Sequence, residues 1–446
     1  MQTLIKNATI VTDGRKFIGN IFIVGDTIAQ ISESAIQVDT AYTTEIDAGQ
    51  KLTIPGVIDE HVHFREPGLT HKADIYTESK AAVAGGVTSY MDMPNVKPQT
   101  TTRDLLNEKK QLAAEKSLAN YAFYLGATNE NFDEIKGVDT SEICGIKLFM
   151  GSSTGNMLVD EQMKLERIFA ESPCLIAVHC EDEQTIKTNI EYFKEKFGDK
   201  INATQHPLIR SAEACYKSTA KAIELATKFC ARLHVMHIST AKELDLFSSG
   251  NTNEKTITAE TCPHYLIFND ADYAKFGYRI KCNPSIKSES DRLALTEALN
   301  SGKIDTIGTD HAPHLPNEKF GDTYFTSASG MPTIQHSLLA MIDLCKKGKL
   351  RIEDLVQKMC HAPADIYGIT KRGHIRVGYK ADIAIIDTNK PQVVTQQSLL
   401  YKCGWSPFDG LTFGSTVTHT FVNGNLVYQN GAFNEDFKGE ALHFDR

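Results

Sequence analysis

Short apolar runs alternate with longer segments of helical spacing through the middle of the chain. Between most of the runs, apolar residues recur at the spacing of an amphipathic helix, as in YTESKAAVAGG and CYKSTAKAIELATKFCA. The eight runs are GVIDEH (56–61), VTSYMDM (87–93), YAFYLGA (121–127), GIKLFMG (145–151), CLIAVH (174–179), LHVMHI (233–238), TITAETC (256–262) and IDTIGTD (304–310). Eight strands alternating with helices predict an α/β fold of the (β/α)8, TIM-barrel type.

A doubly wound open sheet would produce a similar alternation of strands and helices. Sheets of that kind that bind dinucleotides carry a glycine-rich fingerprint directly after the first strand. The segment after GVIDEH reads VHFREPG and lacks this fingerprint. We therefore favour the barrel.

Both ends of the chain have a different pattern. Residues 1–53 contain IGNIFIVGDTIAQI, and residues 371–446 contain ADIAIID and TVTHTFVNGNLVYQNGAF, which are short β runs separated by Gly, Asn and Asp. Within the second segment, VNGNLV is typical of a β-hairpin. Because the two ends have the same character, we expect residues 1–53 and 371–446 to form one small β domain beside a barrel of residues 54–370.

Composition narrows the classes of partner. The chain has 446 residues, 41% hydrophobic and 23% charged, which is ordinary for a globular protein and sufficient for a large domain and a small one. Its formal charge of −9 argues against binding to nucleic acid or to an anionic membrane, since both are polyanions. An anionic small molecule would need cations placed locally in its site.

The first residues and the cysteines bear on the compartment. The chain begins MQTLIKNATIVTDGRK, without the continuous apolar core of a signal peptide, and no run long enough to span a membrane follows. Its ten cysteines form no CxxC pair, which indicates reduced thiols rather than a disulfide framework. We expect a cytoplasmic enzyme that acts on a small-molecule substrate.

Titratable side chains follow the first apolar run. His61 and His63 are two positions apart, so on a strand their side chains share one face. A single buried histidine is usually a hydrogen-bonded core residue. A pair at a strand end instead favours a metal site, because imidazole is a good ligand for zinc.

Other runs also end in potential metal ligands. His179 ends CLIAVH, His237 follows LHVM, and Asp310 ends IDTIGTD. Catalytic residues of such barrels lie at the carboxyl ends of the strands. We therefore expect these three side chains to meet His61 and His63 at one mouth of the barrel.

Three further histidines are expected to be structural. His234 lies three residues before His237, so on a continuous strand it would face the opposite way. His264, in TCPHYL, and His311, next to Asp310, are interpreted as scaffold or as groups that support the ligands.

Lys147 lies in the apolar run GIKLFMG, where burying an unpaired ammonium is costly. It could pair with a carboxylate at the barrel mouth, form a Schiff base with a substrate, or take up CO2 as a carbamate. Two divalent ions about 3.5–4 Å apart need a bridging anion, which a carbamate provides. With two histidines on the first strand and one each on the fifth and sixth, the pattern favours a bridged metal pair.

The motifs DEHVHFREPG, MPNVKPQT and GTDHAPHLPNEK closely resemble those of the dihydroorotases, which are cyclic amidohydrolases of pyrimidine synthesis. Similarity to the wider amidohydrolase superfamily extends from PGVIDEHVH to VGYKADIAIID. The HxH motif alone is widespread in that superfamily. Its combination with REPG, MPN and the HAPH segment that begins after Asp310 is much more specific.

The resemblance implies a binuclear site with two Zn²⁺ ions per subunit. The implied ligands are His61 and His63 for one ion, His179 and His237 for the other, and carboxylated Lys147 with a hydroxide as the bridges. Asp310 would ligate the first zinc and would also move the proton during catalysis.

The resemblance also implies a set of substrate-binding residues. Arg65, Asn95 and Asn283 would hold the substrate carboxylate and the ring amide, with His314 nearby. The planar guanidinium of Arg65 suits a carboxylate, and the residue is two positions beyond His63. The loop after Asn283 departs from the family: it reads Ser285, Ile286, Lys287 where a Pro-Leu-Arg-like continuation is common.

The implied activity is the reversible interconversion of L-dihydroorotate and N-carbamoyl-L-aspartate in the de novo synthesis of UMP. Hydantoinases, dihydropyrimidinases and allantoinases share the barrel and the metals and remain alternatives, although their substrates lack the ring carboxylate that Arg65 would bind. A non-catalytic scaffold related to dihydroorotases is a further alternative. Such scaffolds typically lose metal ligands, whereas this chain keeps all six candidate positions.

The resemblance does not decide the oligomeric state or which loop closes over the substrate. It favours a homodimer or a homotetramer without deciding between them. The segments 156–160, 202–214 and 314–330 are all candidates for a loop that closes over the substrate.

Overall fold

The structure of the protein is a computed structural model that describes residues 2–151 and 157–446. Strands and helices alternate through the middle of the chain, and strands predominate near both ends. The strands are β1 Gln2–Thr12, β2 Arg15–Val24, β3 Thr27–Ser32, β4 Thr43–Asp47, β5 Leu52–Pro55, β6 Val57–Val62, β7 Val87–Asp92, β8 Asn120–Phe123, β9 Leu125–Gly126, β10 Ile146–Phe149, β11 Ile176–His179, β12 Leu233–Val235, β13 Ile257–Thr261, β14 Thr306–Ile307, β15 Ile383–Asp387, β16 Gln392–Val393, β17 Thr412–Phe413, β18 Thr416–Val422, β19 Asn425–Gln429 and β20 Ala432–Phe433. The α-helices are α1 Ile75–Ala84, α2 Arg103–Lys116, α3 Phe132–Lys136, α4 Gln162–Glu171, α5 Glu183–Phe197, α6 His206–Ile209, α7 Ala212–Phe229, α8 Pro263–Ile267, α9 Tyr273–Phe276, α10 Glu289–Asn300, α11 Pro316–Lys319, α12 Ser337–Lys346, α13 Ile352–Val356 and α14 Ala362–Tyr367.

Strands β6 to β14 form a parallel barrel. Strands β6 to β8 pair in chain order, and so do β9 to β14. Beyond the end of β14, His311 bridges to Val62 of β6, which brings the first and last strands together and closes the barrel. The strands are buried almost throughout, because helices cover the outer face while side chains fill the inside. The predicted barrel is confirmed.

The strand limits differ from the predicted runs in two ways. The third run is two strands, since β8 pairs with β7 and β9 pairs with β10, with Tyr124 between them. Strands β12 and β14 end early, at Val235 and Ile307, so His237 and Asp310 follow the strands instead of ending them. Apolar runs show which segments are buried, but the end of a strand depends on hydrogen bonds to its neighbours.

The helices begin at the capping signals that their sequences carry. The hydroxyl of Ser211 accepts a hydrogen bond from the backbone N–H of Ala214 at the start of α7, and Asp74 with Thr77 forms a capping box at the start of α1. Helix α7 buries residues at helical spacing, including Ala222 and Leu225. These helices shield the barrel strands from water.

Strands from both ends of the chain form a second, mostly antiparallel sheet. Its strand order is β20-β19-β18-β15-β5-β1-β2-β3, with β4 alongside β1. Strand β5 joins the two chain ends by pairing parallel to β1 and antiparallel to β15. The sheet has its own apolar cluster, which includes Ile5, Ile10, Ile21, Ile23, Ile383, Ile385 and Phe421.

A glycine connects this sheet to the barrel. Strand β5 leads into β6 through Gly56. A Cβ atom on residue 56 would lie only 2.1 Å from Thr88 Oγ1. Any other side chain would therefore collide with β7 as the chain enters the barrel. The first metal-ligand candidates, His61 and His63, follow this passage within a few residues.

Two further observations concern the described residues as a whole. No helix of residues 2–151 and 157–446 is long and apolar enough to cross a membrane. The cysteines are free thiols, and most of them are buried.

Candidate metal centre

A cavity of about 150 Å³ opens at the carboxyl ends of the barrel strands. It is lined by His61, His63, Arg65, Asn95, Lys147, Phe149, His179, His237, Asn283, Asp310, Ala312, His314, Ser329 and Gly330. All ten site residues named from the sequence are among them, so the fold brings together residues that are far apart in the chain. Their individual roles remain predictions.

Three ligand atoms meet at one side of the cavity. Asp310 Oδ1 lies 3.2 Å from His61 Nε2 and 3.1 Å from His63 Nε2. The opposite ring nitrogens are held from outside: His61 Nδ1 is 2.8 Å from Glu260 Oε1, and His63 Nδ1 is 2.8 Å from Asn95 Oδ1. Both supporting groups are acceptors, so each Nδ1 carries a hydrogen and each Nε2 faces Asp310.

This arrangement fits a divalent metal ion. Two imidazole nitrogens and a carboxylate oxygen face one another, which is a ligand set suited to a divalent cation. Ligand atoms about 2.0–2.2 Å from a tetrahedral zinc lie roughly 3.3–3.5 Å apart, close to the observed separations. Supporting acceptors on the outer nitrogens are typical of metal-binding histidines.

His179 and His237 form the other side of the cavity. His179 Nδ1 lies 2.9 Å from His237 Nε2, and the rings of His237 and His61 are 5.2 Å apart. The second nitrogen of His179, Nε2, is 3.1 Å from Glu181 Oε2 but without hydrogen-bond geometry. Burial lowers the pKa of both imidazoles, which keeps them neutral and able to bind a metal.

Lys147 lies between the two sides, on β10. Its ammonium is 1% exposed, and its hydrogen-bond partner among the described residues is Met236 Sδ, at 2.8 Å. Burial lowers the pKa of Lys147 to about 8, although Glu260 and Asp310 act to raise it. An amine with a lowered pKa is partly unprotonated near neutral pH, the form that can react with CO2.

The carboxyl of Asp310 is held in its ionised form. Burial acts to raise its pKa, but the neighbouring His61 and His63 outweigh burial and keep the pKa well below the ordinary value. Asp310 also has a positive φ of 46°, as do His237 (45°) and Arg65 (67°). Three non-glycine residues with positive φ border the same cavity. This indicates that the surrounding structure holds the backbone in a conformation that directs these side chains into the cavity.

Arg65 and His314 form a cationic wall of the cavity. Arg65 is 7% exposed, donates from Nε to the carbonyl of Pro313 (3.1 Å), and lies 3.3 Å from His314 Nε2 through Nη2. Lys72 Nζ, 3.2 Å from His314 Nδ1, can only donate, so Nδ1 accepts and Nε2 donates to the carbonyl of Ser329 (3.1 Å). His314 is therefore neutral here, and burial lowers its pKa well below the ordinary value.

The two predicted amide side chains are placed differently. Asn95 Oδ1 is occupied by His63, so the amide nitrogen is the group of Asn95 available to a substrate. Asn283 Oδ1 is buried and has no hydrogen-bond partner among the described residues. Of the three candidate closing segments, 314–330 contributes His314, Ser329 and Gly330 to the cavity lining, while residue 156 of the segment 156–160 lies outside the described residues.

Sequence reasoning missed three charged residues next to the cavity, namely the buried carboxylates of Glu260 and Glu181 and the guanidinium of Arg210. Glu260, on β13, holds His61 and also accepts from the backbone N–H of His237 at 3.0 Å. Glu181, two residues after His179, is paired with Arg210. A carboxylate inside an apolar run, such as TITAETC, was the available signal for Glu260, whereas the pairing of Glu181 depends on the tertiary fold.

His234, interpreted from the sequence as structural, does not line the cavity but lies beside Glu260. His234 Nε2 lies 3.8 Å from Glu260 Oε2, the second oxygen of the carboxylate that holds His61. Strand β12 ends at Val235, so the alternation of faces does not extend to His237. His311, in contrast, is held between Glu78 Oε2 (2.8 Å) and the backbone N–H of Thr333 (3.0 Å), as expected of a scaffold residue.

Comparison with known proteins shows the family to which the chain belongs. A model of the amidohydrolase family matches residues 52–427. A dihydroorotase of Methanosphaera stadtmanae is 30% identical over 420 residues, which are 94% of this chain and 95% of that protein. An allantoinase of Bacillus velezensis is 32% identical over 419 residues, which are 93% and 89% of the two chains. The solved structure of an L-hydantoinase from Arthrobacter aurescens has a TM-score of 0.91 at 28% identity and covers 97% of both chains.

These relatives share a fold and differ in the substrate after which they are named. Dihydroorotases and allantoinases match this chain at nearly the same identity and coverage. Overall similarity therefore defines the family, and the choice of substrate has to be argued from the residues of the cavity.

Proposed function

The chain belongs to the amidohydrolase family and is a hydrolase of that family, and we propose that within this family it is a dihydroorotase. It would interconvert L-dihydroorotate and N-carbamoyl-L-aspartate in pyrimidine biosynthesis. The motifs DEHVHFREPG, MPNVKPQT and GTDHAPHLPNEK and the dihydroorotases among the similar proteins support this choice.

The buried guanidinium of Arg65 is the single observation that carries the proposal. Within residues 2–151 and 157–446, no carboxylate forms an ion pair with it, and its contacts are a carbonyl oxygen and a neutral imidazole. Burying a charge without a counter-ion is costly, so a site that keeps such a charge is suited to an anionic ligand. Dihydroorotate carries a ring carboxylate that can pair with both terminal nitrogens of the fork.

The proposal assigns the metal ligands as the resemblance implies. Two zinc ions would be held by His61 with His63 and by His179 with His237, with Asp310 on the first ion and a carbamate of Lys147 shared between them. When bound, the metals would supply Lewis acidity, which activates water near neutral pH and polarises the ring carbonyl. The facing acceptor atoms and the buried, partly unprotonated Lys147 support this assignment.

The residues of the chain then orient the ring and move the proton. Arg65 pairs with the substrate carboxylate, and the Asn95 amide nitrogen and Asn283 bind polar atoms of the ring. Asp310 Oδ2 accepts the proton of the attacking water and returns it to the ring nitrogen as the C–N bond breaks, so one water is added across that bond. In the biosynthetic direction the same groups act in reverse and expel water. Because ring opening creates a carboxylate and releases a proton, lower pH favours the cyclic form at equilibrium.

The test is the rate of interconversion of L-dihydroorotate and N-carbamoyl-L-aspartate by the purified full chain, loaded with zinc in the presence of bicarbonate. We expect turnover in both directions, with loss on treatment with a chelator. Allantoin and hydantoin are assayed in parallel. Zinc-loaded protein that opens either of these rings but leaves dihydroorotate intact would refute the assignment and point to the other members of the family.

The compartment, the oligomeric state and the division into domains are also proposed. We infer a cytoplasmic homodimer or homotetramer, in which residues 54–370 form the catalytic barrel and residues 1–53 with 371–446 form a composite β domain. The sheet shared by strands from both ends supports that division. Sedimentation of the purified chain would establish the number of subunits.

A further inference from the structure

A second cluster of potential ligands lies inside the barrel, separate from the catalytic cavity. Glu60 on β6, His234 on β12 and Glu260 on β13 are 0% exposed and point into the barrel interior. One ligand atom from each lies within 4.8 Å of the others. None of these three residues lines the cavity described above.

Four polar atoms of this cluster lack hydrogen-bond partners among the described residues. They are Glu60 Oε1, Glu60 Oε2, Glu260 Oε2 and His234 Nε2. Buried polar atoms in proteins almost always have a partner, so four unpaired atoms within one cluster indicate a bound group. The separation of His234 Nε2 from Glu260 Oε2, 3.8 Å, is too long for a hydrogen bond and suits two ligands of one ion.

Thr258 Oγ1 lies 2.8 Å from His234 Nδ1 and 3.3 Å from the carbonyl of Leu233. When this hydroxyl donates to Leu233 it accepts from Nδ1, and Nε2 of the neutral ring is left as an acceptor beside Glu60 and Glu260. In that tautomer a cation between the three groups satisfies them together.

The neighbouring groups do not supply that cation. Among residues 2–151 and 157–446, no Lys or Arg nitrogen forms an ion pair with Glu60 or Glu260. Tyr124 donates its hydroxyl hydrogen to the backbone carbonyl of Glu60 (2.9 Å) and is 2.8 Å from Tyr367 Oη, so these two hydroxyls are already engaged with each other and with the backbone. The Thr306 hydroxyl faces Glu60 and could satisfy at most one of the four atoms.

A single shared proton satisfies only part of the cluster. A proton shared by Glu60 and Glu260 would join two oxygens and leave His234 Nε2 and the other Glu60 oxygen unpaired. An ion with four ligands accommodates all four atoms together. Space is available beside Glu260, because residue 308 is glycine and a Cβ there would lie 2.6 Å from Glu260 Oε2.

We propose that Glu60, His234 and Glu260 bind a divalent cation in the barrel interior, in addition to the metals of the catalytic cavity. The two carboxylates and one imidazole form a donor set suited to zinc, with ligand distances of about 2.0–2.2 Å. Glu260 links the two sites, because its Oε1 holds His61 while its Oε2 binds the interior ion. The ion is structural: it neutralises the interior carboxylates and fixes the carboxylate behind His61.

The test locates zinc directly, in crystals of the full chain grown with Zn²⁺ and measured on both sides of the zinc absorption edge. We expect an anomalous peak among Glu60, His234 and Glu260, apart from any peak at the catalytic histidines. A Glu60→Gln variant removes one charge with little change in shape and should lose this peak. By elemental analysis, it should also contain one zinc per chain fewer than the wild type.

Glu243→Gln is the matched control, because Glu243 is equally buried but already accepts from Thr219 Oγ1 (2.7 Å) and Thr240 Oγ1 (2.9 Å). Its zinc content should equal that of the wild type. A zinc-saturated wild-type crystal without a peak in the cluster would overturn the proposal and leave a water or a shared proton there. A peak of full height in Glu60→Gln would overturn the ligand set. The wild-type map decides the question even if the variant does not fold.

Discussion

Replacing Arg65 with glutamine tests the observation on which the proposed substrate rests. The guanidinium is buried at the cavity without a carboxylate partner among the described residues, and its one clear protein hydrogen bond runs from Nε to the carbonyl of Pro313. Glutamine keeps a shorter polar side chain but removes the charge and the fork. The substitution should therefore affect substrate binding far more than it affects folding.

The expected loss follows from the kind of contact that is removed. Removing one member of a buried, hydrogen-bonded charge pair costs about 2–5 kcal/mol, which corresponds to a fall of roughly 30- to 5000-fold in kcat/KM for dihydroorotate. If the carboxylate is held equally in the ground state and the transition state, the loss falls mainly on KM. The stability of the fold should change by only about 1 kcal/mol, the typical worth of one hydrogen bond.

The assay compares two substrates that differ only in the carboxylate. Dihydrouracil is dihydroorotate without its carboxyl group, so the interaction with Arg65 is absent from the start. Rates of ring opening of both compounds are measured for the wild type, for Arg65→Gln and for Arg279→Gln. The last variant carries the same substitution at a partly exposed position, where the arginine lies 3.4 Å from Asp409.

We expect Arg65→Gln to lower kcat/KM for dihydroorotate by at least about 30-fold and to change that for dihydrouracil by less than about threefold. Arg279→Gln should match the wild type on both substrates. An equal loss on both compounds would refute the reasoning, because Arg65 would then act on the catalytic groups and not on the substrate carboxylate. Thermal melting of each variant checks that the fold is retained.

Four further predictions address the metal centre and the stability of the fold. Asp310→Asn should keep the wild-type melting temperature yet abolish turnover in both directions, since the amide cannot accept the proton; near-normal rates would exclude the proposed shuttle. With isotopically labelled bicarbonate, the wild type should show a carbamate signal by carbon NMR that is absent from Lys147→Met, and a wild type without the signal would exclude the carbamate bridge. Glu260→Gln should lower zinc affinity or activity about 10- to 100-fold, as loss of a supporting carboxylate does, and unchanged zinc titration would contradict this role. His374 has a raised pKa because its hydrogen bonds to Asp13 and Asp365 outweigh burial. Its stabilising contribution is therefore complete below about pH 6.5 and is lost as pH rises through the folded pKa. The difference in melting temperature between wild type and His374→Gln should accordingly shrink as pH rises from about 6.5 through the folded pKa.

The barrel could be predicted because each of its strands is an apolar run buried on both faces. An apolar run can be recognised without knowing which strands are its neighbours. The runs identified all eight strand segments of the barrel, including the very short β14. The break in the third strand at Tyr124 left no such mark. It arises because β8 pairs with β7 while β9 pairs with β10, and pairing is a property of the assembled barrel.

The side chains of the candidate site could be grouped from the sequence because potential metal ligands follow the predicted strands. The two-residue spacing of His61 and His63 alone places both rings on one side, and the structure brings them to the same oxygen of Asp310. His237 shows the limit of this reasoning. It lies beyond its strand with a positive φ of 45°, so counting residues along β12 does not relate the direction of its side chain to that of His234.

Glu260 explains why the support of the centre could not be predicted with the centre itself. Its two oxygens serve different partners: Oε1 accepts from His61 Nδ1 and from the backbone N–H of His237, while Oε2 faces His234. None of these contacts is near in sequence, since each joins parts of the chain that only the closed barrel brings together. One carboxylate therefore fixes a ring on one side of the cavity and the backbone on the other, and it does so from the interior cluster. Glu260 thus helps to position His61 and the backbone of His237 although it does not itself line the cavity.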